Sequence, residues 1–331
     1  MKIFGVEVQE VRNFSDNQDF AVSPFPQDEE RTAVAVAYKN EEYVADKISP
    51  RLIVGKPEFK YQKFTEKEPF TIPNTVSSRK GSINEVEFTG TEVDASTQDY
   101  GLMANIPQQD IDGAYAGVDV INHYVEGLMD LILLDREKRI ADQVFAAANY
   151  ATANKATLSG NDQFSDFANS KPITKIKEAI KACLMKPNKM LLGYDTFHYL
   201  SSHPEIIGAY YKNSGTKGNV TDLSWLAGLF GLDEVIVGGS FYNSANEGQS
   251  ASYARVFGKH LALFYSKNSP LPRFNTSMFF TGQYGSRLVY TRPLAPGQLG
   301  LRGGVQVLVG ESVKEIITAD NLGYLFTNAV A

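Results

Sequence analysis

Apolar residues return every three or four positions through "GAYAGVDVINHYVEGLMDLILLDREKRIADQVFAAANY", where Val118, Ile121, Val125, Leu128 and Ile132 lead on to Ile140, Val144 and Ala148. That spacing puts them on one face of a helix. With no proline and with Gly127 as its only weak point, the stretch predicts one continuous helix from about Tyr115 to Ala147. At 1.5 Å per residue such a helix is about 50 Å long, well beyond the usual length in globular domains.

Residues 63–88, "KFTEKEPFTIPNTVSSRKGSINEVEF", follow a different rule: Thr, Val, Ile and Phe favour extended chain, yet charges interrupt every would-be apolar face. Pro69, Pro73 and the turn-like "SSRKGS" predict a long two-stranded hairpin with its tip near Arg79, Lys80 and Gly81. Two flanking stretches are candidates to anchor its base. "EFKYQKF" alternates Phe59 and Tyr61 against charge, and "DYGLMANIP" lines Tyr100, Leu102, Ala104 and Ile106 along one strand face. An isolated hairpin is marginal in water, and between Pro73 and Glu87 only Val76, Ile83 and Val86 are aliphatic, so this ribbon needs a surface to lie on. Upstream, "SDNQDFAVSPFPQDEE" reads as an extended arm, and "ERTAVAVAYKNEEYVADKI" predicts a helix ending at Pro50.

From about 150 to 270 short elements alternate. "SKPITKIKEAIKACLM" predicts a helix with Pro172 in its first turn and Ile173, Ile176, Ile180 and Leu184 on its buried face, followed by the strand "KMLLG". "DTFHYLS" reads as a brief helix capped by Asp195, and "TDLSWLAGLFG" as one ended by Gly231. "DEVIVGG" and "HLALFY" are buried strands, while "YYKNSGTKGNV" is a loop. The last sixty residues return to strands, "SRLVYTR", "GVQVLVG", "SVKEIIT" and "LGYLFTNAV". The fold class is α+β.

Composition narrows function mainly by exclusion. A net charge of -6 argues against a protein whose task is to grip phosphate backbones. The single cysteine, Cys183, cannot form an internal disulfide, and no stretch approaches the roughly 18 apolar residues of a membrane span. Phosphate loops, paired cysteines, HExxH and GxSxG are absent, so no catalytic, cofactor-binding or metal residue is assigned and no cofactor is expected. The densest set, Asp195, His198, His203 and Cys183, reads as a capping Asp, a helix-face His and a His-Pro turn. His123, near the apolar stripe of the long helix, reads as a hydrogen-bonded structural histidine, and Trp225 as core. Within "DREKR", Asp135 and Arg139 stand at i,i+4, a solvated ion pair or a charge contact between subunits.

The order of parts, together with "LLDREKRIADQVFAAANYATANKATLSGNDQFSDFANSKPITKIKEAI", "TDLSWLAGLFGLDEVIVGGSFYNSANEG" and "NLGYLFTNAV", resembles the tailed-bacteriophage major capsid proteins of the Hong Kong 97-type fold, shared with encapsulins. The resemblance covers nearly the whole chain. It implies an N-terminal arm (1–48), an extended loop with flanking strands (49–108), a peripheral domain with a spine helix (109–150 and 271–331) and an axial domain (151–270). It further implies a virion subunit, assembled in host cytoplasm, that forms hexamers and pentamers of an icosahedral head around double-stranded DNA without reading its sequence. Expected partners are other copies of the chain, a portal, possible decoration proteins and no membrane. No helical scaffolding segment precedes the arm, so a separate scaffolding protein is expected, or else the chain is a processed form. Candidate intersubunit contacts are Arg79, Lys80, Glu85, Asp135 and Arg139. Self-catalysed Lys to Asn crosslinking, known in one member, would draw on Lys80 with Asn321 or Asn328, but no local motif marks a catalytic Glu. Two other classes stand beside this reading: an encapsulin-like compartment shell, disfavoured by the polar arm and ribbon, and a soluble enzyme, for which no residue constellation speaks.

Overall fold

In the computed structural model Asp119 sets the start of the long helix: its carboxylate accepts the backbone N–H groups of Ile121 and Asn122 at 3.0 and 3.1 Å. The helix therefore runs unbroken from Val120 to Val144, about 37 Å, and not from Tyr115, which is exposed. Gly127 is accommodated without a kink-forming loop, but Val118 lies outside the helix and Ala148 falls in a 3-10 turn beyond it. The structure describes residues 28–38, 40, 42–63, 72–76, 85, 91–115, 118–211, 220–246, 248–267 and 277–331.

The elements in chain order are α1 (Glu29–Ala37), α2 (Ala45–Ile48), β1 (Arg51–Val54), β2 (Glu58–Lys63), β3 (Thr91–Ser96), β4 (Gln98–Pro107), α3 (Gln108–Asp112) and the long helix α4 (Val120–Val144). Then come β5 (Lys155–Thr157), α5 (Pro172–Ala182), β6 (Lys189–Gly193), α6 (Tyr194–Ser201), α7 (Pro204–Tyr210), α8 (Leu223–Phe230), β7 (Glu234–Gly238), β8 (Phe241–Asn243), β9 (Tyr253–Arg255) and β10 (Leu261–Phe264). The chain closes through β11 (Phe279–Leu294), β12 (Gly304–Ile317) and β13 (Gly323–Thr327).

Two sheets organise these elements. A four-stranded sheet has the order β1-β11-β12-β4, and a five-stranded sheet the order β5-β13-β10-β6-β7. In the second sheet alternate residues feed different cores. Met190, Leu192, Leu261 and Leu263 pack with Ile176, Leu200 and Leu226 of the covering helices, whereas Leu191, Ala262 and Phe264 face a second cluster with Ile140, Ala141 and Val144. Burial on both faces explains why these strands are apolar throughout. The N-terminal half of α4 serves the other sheet, where Val125, Met129, Ile132 and Leu133 meet Val289, Val307 and Val309. One helix thus shares its stripe between two sheets.

Several expectations are corrected. "ERTAVAVAYKNEEYVADKI" is two helices, α1 and α2, and not one. "GVQVLVG" and "SVKEIIT" are a single strand, β12, paired with β11 on one side and β4 on the other. "LGYLFTNAV" supplies β13 to the five-stranded sheet, beside β10 and β5, and does not join the sheet of α4's N-terminal half. "DYGLMANIP" forms β4, an edge strand on β12, so the partner of "EFKYQKF" at the ribbon base is β3. Ile106 is buried on β4 while Leu102 is exposed. Leu184 lies beyond the end of α5 and is exposed. Gly193, not Asp195, precedes α6, and the Asp195 carboxylate pairs with Arg255 at 3.1 Å. Gly231 closes α8 in the left-handed conformation, φ 65°, as expected.

Candidate functional site

The ribbon leaves the body from a seat built on glycine. Phe59 of β2 lies over Gly282 of β11, where even a methyl group would come within 2.6 Å of the ring, and Tyr61 meets Phe280 edge-on at 6.0 Å. β2 and β3 stay paired from Glu58↔Ser96 to Lys63↔Thr91, with Lys60 between Glu92 and Asp94. Farther out, Ile72 is 93% and Val76 79% exposed. Glu85 is exposed as well. The expected tip, Arg79 and Lys80, lies outside the described residues.

Where the ribbon and α2 approach the sheet, charge is buried. Arg136 of α4, 1% exposed, donates to Asp46 at 2.7 Å and to the Ser49 carbonyl and Thr281 hydroxyl at 3.2 Å. Arg51 of β1 bridges Asp46 at 2.9 Å and Glu311 of β12 at 2.7 Å. Arg287 of β11 reaches the same Glu311 oxygen at 3.3 Å and donates to the Ala35 and Tyr38 carbonyls, both at 2.9 Å, which are the free acceptors at the end of α1. Burial opposes the charge on Glu311, but Arg51, with Arg136 and Arg287, outweighs it and holds the carboxyl below its ordinary pKa. Burial likewise opposes the charge on Asp46, yet Arg136 and Arg51 bring its pKa down to about 2.

A second polar group fixes the turn between α1 and α2. Asp130, on α4, accepts from the Tyr38 hydroxyl at 3.2 Å, the Asn40 amide at 2.9 Å and the Tyr43 hydroxyl at 3.3 Å. Burial and then the Asp130 charge push the Tyr43 hydroxyl pKa upward. These ties are why the predicted single helix breaks at Tyr38: the α1 carbonyls are taken by Arg287, and the following side chains turn toward α4. The far end of α2 is held too, since Lys189 of β6 donates to the Lys47 carbonyl at 2.8 Å. Asp46, Arg51, Arg136, Arg287 and Glu311 were not singled out from sequence. A signal existed: Arg136 and Glu137 follow Ile132 and Leu133 by four residues on the buried helix face, and Glu311 shares the buried phase of Val307, Val309 and Val313 in β12.

The remaining sequence candidates scatter. Asp135 and Arg139 do pair, at 3.0 Å, with Asp135 exposed; Arg139 also binds Glu315 at 2.9 Å and stacks 3.6 Å over the Tyr100 ring, joining α4 to β12 and β4 within the chain. His203 is buried, sharing a hydrogen bond with Ser170 at 3.0 Å and accepting the Glu205 N–H at 3.1 Å as the cap of α7. Burial lowers its pKa. Cys183 is buried against the Ala179 carbonyl, and burial pushes its thiol up to about 12. Among the described residues no three His, Cys, Asp or Glu side chains gather to hold a metal ion. His123, expected to be hydrogen-bonded near the apolar stripe, is exposed on α4. Trp225 packs on the core of the five-stranded sheet, edge-on to Tyr210 at 4.8 Å. Asn321 is buried and Asn328 exposed. No helix among the described residues is long and apolar enough to cross a membrane.

Comparison with known proteins supplies what local motifs do not. No protein-family model matches the chain. The major capsid protein of Pseudomonas phage JBD67 is 43% identical over 309 residues, covering 93% of this chain and 99% of that protein. Among solved structures, a phage-related protein of Bordetella bronchiseptica RB50 superposes with a TM-score of 0.73 at 22% identity, over 92% of this chain and 98% of the other. The capsid of cyanophage P-SCSP1u gives 0.56 at 10% identity, over 95% and 93%. The second and third likenesses speak for the fold alone, but the first spans nearly all of both chains at an identity that fixes kinship: this chain belongs to the bacteriophage major capsid proteins.

Proposed function

We propose that this chain is the self-assembling subunit of an icosahedral phage head, forming hexamers and pentamers around double-stranded DNA, and that the ribbon between β2 and β3 seats each copy on its neighbour. As a phage major capsid protein the chain is a component of the virion, and its role is structural, not catalytic. The observation that carries the ribbon's role is the exposure of Ile72 and Val76, at 93% and 79%, on a ribbon whose base packs on its own sheet through Phe59 and Tyr61. Apolar side chains with no cover in the subunit gain by burial elsewhere, about 25 cal/mol per Å² removed from water. Arg79, Lys80 and Glu85 would set its register, with the basic tip meeting a carboxylate patch on the adjacent subunit. Asp135 is a second proposed contact, held in place by Arg139. In the same reading residues 1–48 act as an arm, 49–108 as the extended loop, 109–150 with 271–331 as the peripheral domain and 151–270 as the axial domain, with β13 crossing from the one to pair with β10 and β5 of the other. Proposed partners are other copies of the chain, a portal, a scaffolding protein and a decoration protein, with DNA enclosed and not read.

The test is to delete Asn74 to Val86, join the ends with a short Gly-Ser turn, and view the purified protein by negative-stain electron microscopy. The expected outcome is a soluble subunit with nearly unchanged thermal unfolding and no closed shells. An unfolded subunit would place the ribbon in the core, and normal shells would make it dispensable; either result overturns the assignment.

A further inference from the structure

β4 is an outer strand of the four-stranded sheet, and its free side lacks the guards that edge strands usually carry. Lys, Pro or a bulge on an edge discourages pairing with another chain. From Gln98 to Ile106 β4 has no Lys, Arg or Pro, and its register on β12 runs without a shift from Gln98↔Val313 to Pro107↔Gly304. Val289 of β11 fixes which backbone groups look outward. Its N–H donates to the Thr32 hydroxyl and its carbonyl accepts the Asp28 N–H, both away from β12, so Val309 opposite it turns its own N–H and C=O toward Leu102 of β4. Leu102 is therefore bonded inward, and alternation leaves the N–H and C=O groups of Asp99, Gly101, Met103 and Asn105 on the open side. Among the described residues no other backbone group bonds to them.

The bare stretch is also apolar. Leu102 is 39% and Met103 55% exposed, and Gly101 beside them presents only backbone: a Cβ built there meets nothing within 4 Å but the Val309 carbonyl oxygen at 3.3 Å and the Gly310 Cα at 3.8 Å. Laid antiparallel to a second copy, with Leu102 opposite Leu102, the strand is complementary to itself. Met103 of each copy falls opposite Gly101 of the other, a long side chain over a bare position, and Asp99 falls opposite Asn105. The Asn105 oxygen already accepts from Gln306 at 2.8 Å, which leaves its amide N–H groups to donate, while Asp99, held by the Ser312 hydroxyl, keeps a second carboxylate oxygen to accept. Asp99 is the sole charge in β4, so like charges do not meet across the seam. The rungs 99 with 105 and 101 with 103, repeated on each side of the two-fold axis, supply about eight backbone hydrogen bonds.

We propose that β4 is a self-pairing edge: two copies of this chain join β4 to β4 across a two-fold axis, which merges their four-stranded sheets into one continuous sheet with both α4 helices on the same face. An isologous contact of this kind closes on itself, so the unguarded edge pairs once and recruits no further strands. The contact is separate from the ribbon and adds to its role.

Disulfide trapping in the purified full-length chain tests it, in the soluble and the assembled fractions alike. Opposite residues whose N–H groups point away from each other lie about 4.5 Å apart at Cα, within disulfide reach, so Leu102→Cys is to give a covalent dimer on diamide treatment. Cys183, buried against the Ala179 carbonyl, is to leave the wild-type chain free of dimer. Ala104→Cys is the register control: its two copies stand about 14 Å apart in this pairing, and it is to crosslink at least about tenfold more slowly. Adding Met103→Pro to Leu102→Cys removes an N–H that only the second copy uses, and is to abolish the crosslink while the chain still melts cooperatively. Should that variant not fold, Met103→Asp, which sets a carboxylate beside Asp99 of the second copy, takes its place. A Leu102→Cys crosslink that forms no faster than that of Ala104→Cys in either fraction, or that survives the blocking change, overturns the proposal. Should Leu102→Cys itself fail to fold, hydrogen exchange of the wild-type Gly101 and Met103 amides decides: they are to exchange at least about tenfold more slowly in the assembled chain than in the dilute subunit, and equal rates overturn the pairing. Deleting the ribbon leaves this edge intact, so loss of shells in that experiment and loss of the crosslink in this one report on different contacts.

Discussion

Replacing Glu311 with Gln keeps the shape of the side chain and removes the charge on which the buried cluster closes. Glu311 has no exposed side-chain surface, and it receives Arg51 at 2.7 Å and Arg287 at 3.3 Å. At an effective dielectric near 20, opposite charges about 4 Å apart attract by about 4 kcal/mol, and two guanidiniums share this one carboxylate. The amide oxygen of Gln still accepts one hydrogen bond, worth about 1 kcal/mol net. What it cannot do is offset the mutual repulsion of Arg51, Arg136 and Arg287, which crowd one corner and would be left with Asp46 alone. Breaking a buried pair from one side costs about 3–5 kcal/mol. With about 2.1 cal/mol/K per residue of unfolding entropy over 331 residues, that is a fall in Tm of about 4–7 °C for a chain unfolding as one unit. Circular dichroism melts of the unassembled subunit measure it, with Lys60→Ala, which removes an exposed pair at 3.6–3.8 Å, as a control expected to move Tm by less than about 1 °C. Adding Arg287→Met to Glu311→Gln removes one uncompensated cation and is to restore part of the loss, only part because Arg287 also holds the Ala35 and Tyr38 carbonyls. A fall below about 1 °C for Glu311→Gln would refute the reasoning, since it would mean that water screens the guanidiniums as well as the carboxylate does.

Gly282→Val places side-chain carbons where the Phe59 ring sits, 2.6 Å from an added Cβ, and is to expose Lys60 and Lys63 to trypsin while the melting temperature of the body changes little. Asp119→Ala removes the acceptor for two N–H groups at the start of α4 and is to destabilise the subunit by about 1 kcal/mol in urea titration. Acidification acts on the carboxylates whose pKa the arginines depress: stability from Asp46 and Glu311, present above their ordinary values near 4, is to be lost as pH falls toward 2, read as a declining Tm between pH 4 and 2.

Period and punctuation alone determined much of this protein. The stripe through Val125, Ile132, Ile140 and Val144 specifies a continuous helix because local geometry is enough to decide it, and Gly231 ends α8 for the same reason. The alternation in "EFKYQKF" announces a strand, and the polar composition around Ile72 and Val76 announces the exposure of those two residues. Tertiary structure alone decided the rest. Nothing local makes "ERTAVAVAYKNEEYVADKI" break at Tyr38; Arg287 and Asp130, more than two hundred and more than ninety residues away in the chain respectively, compete for its carbonyls and side chains and win. The destination of "LGYLFTNAV" is a matter of which edge of which sheet is open, which no periodicity encodes. "DREKR" shows the boundary between the two. Its Asp135 and Arg139 pair as i,i+4 spacing requires, but the residues that matter most between them, Arg136 and Glu137, lie on the apolar phase of the helix, and a charge there is tolerable only because Asp46, the Ser49 carbonyl and two amides of α2 arrive from elsewhere in the chain to meet it.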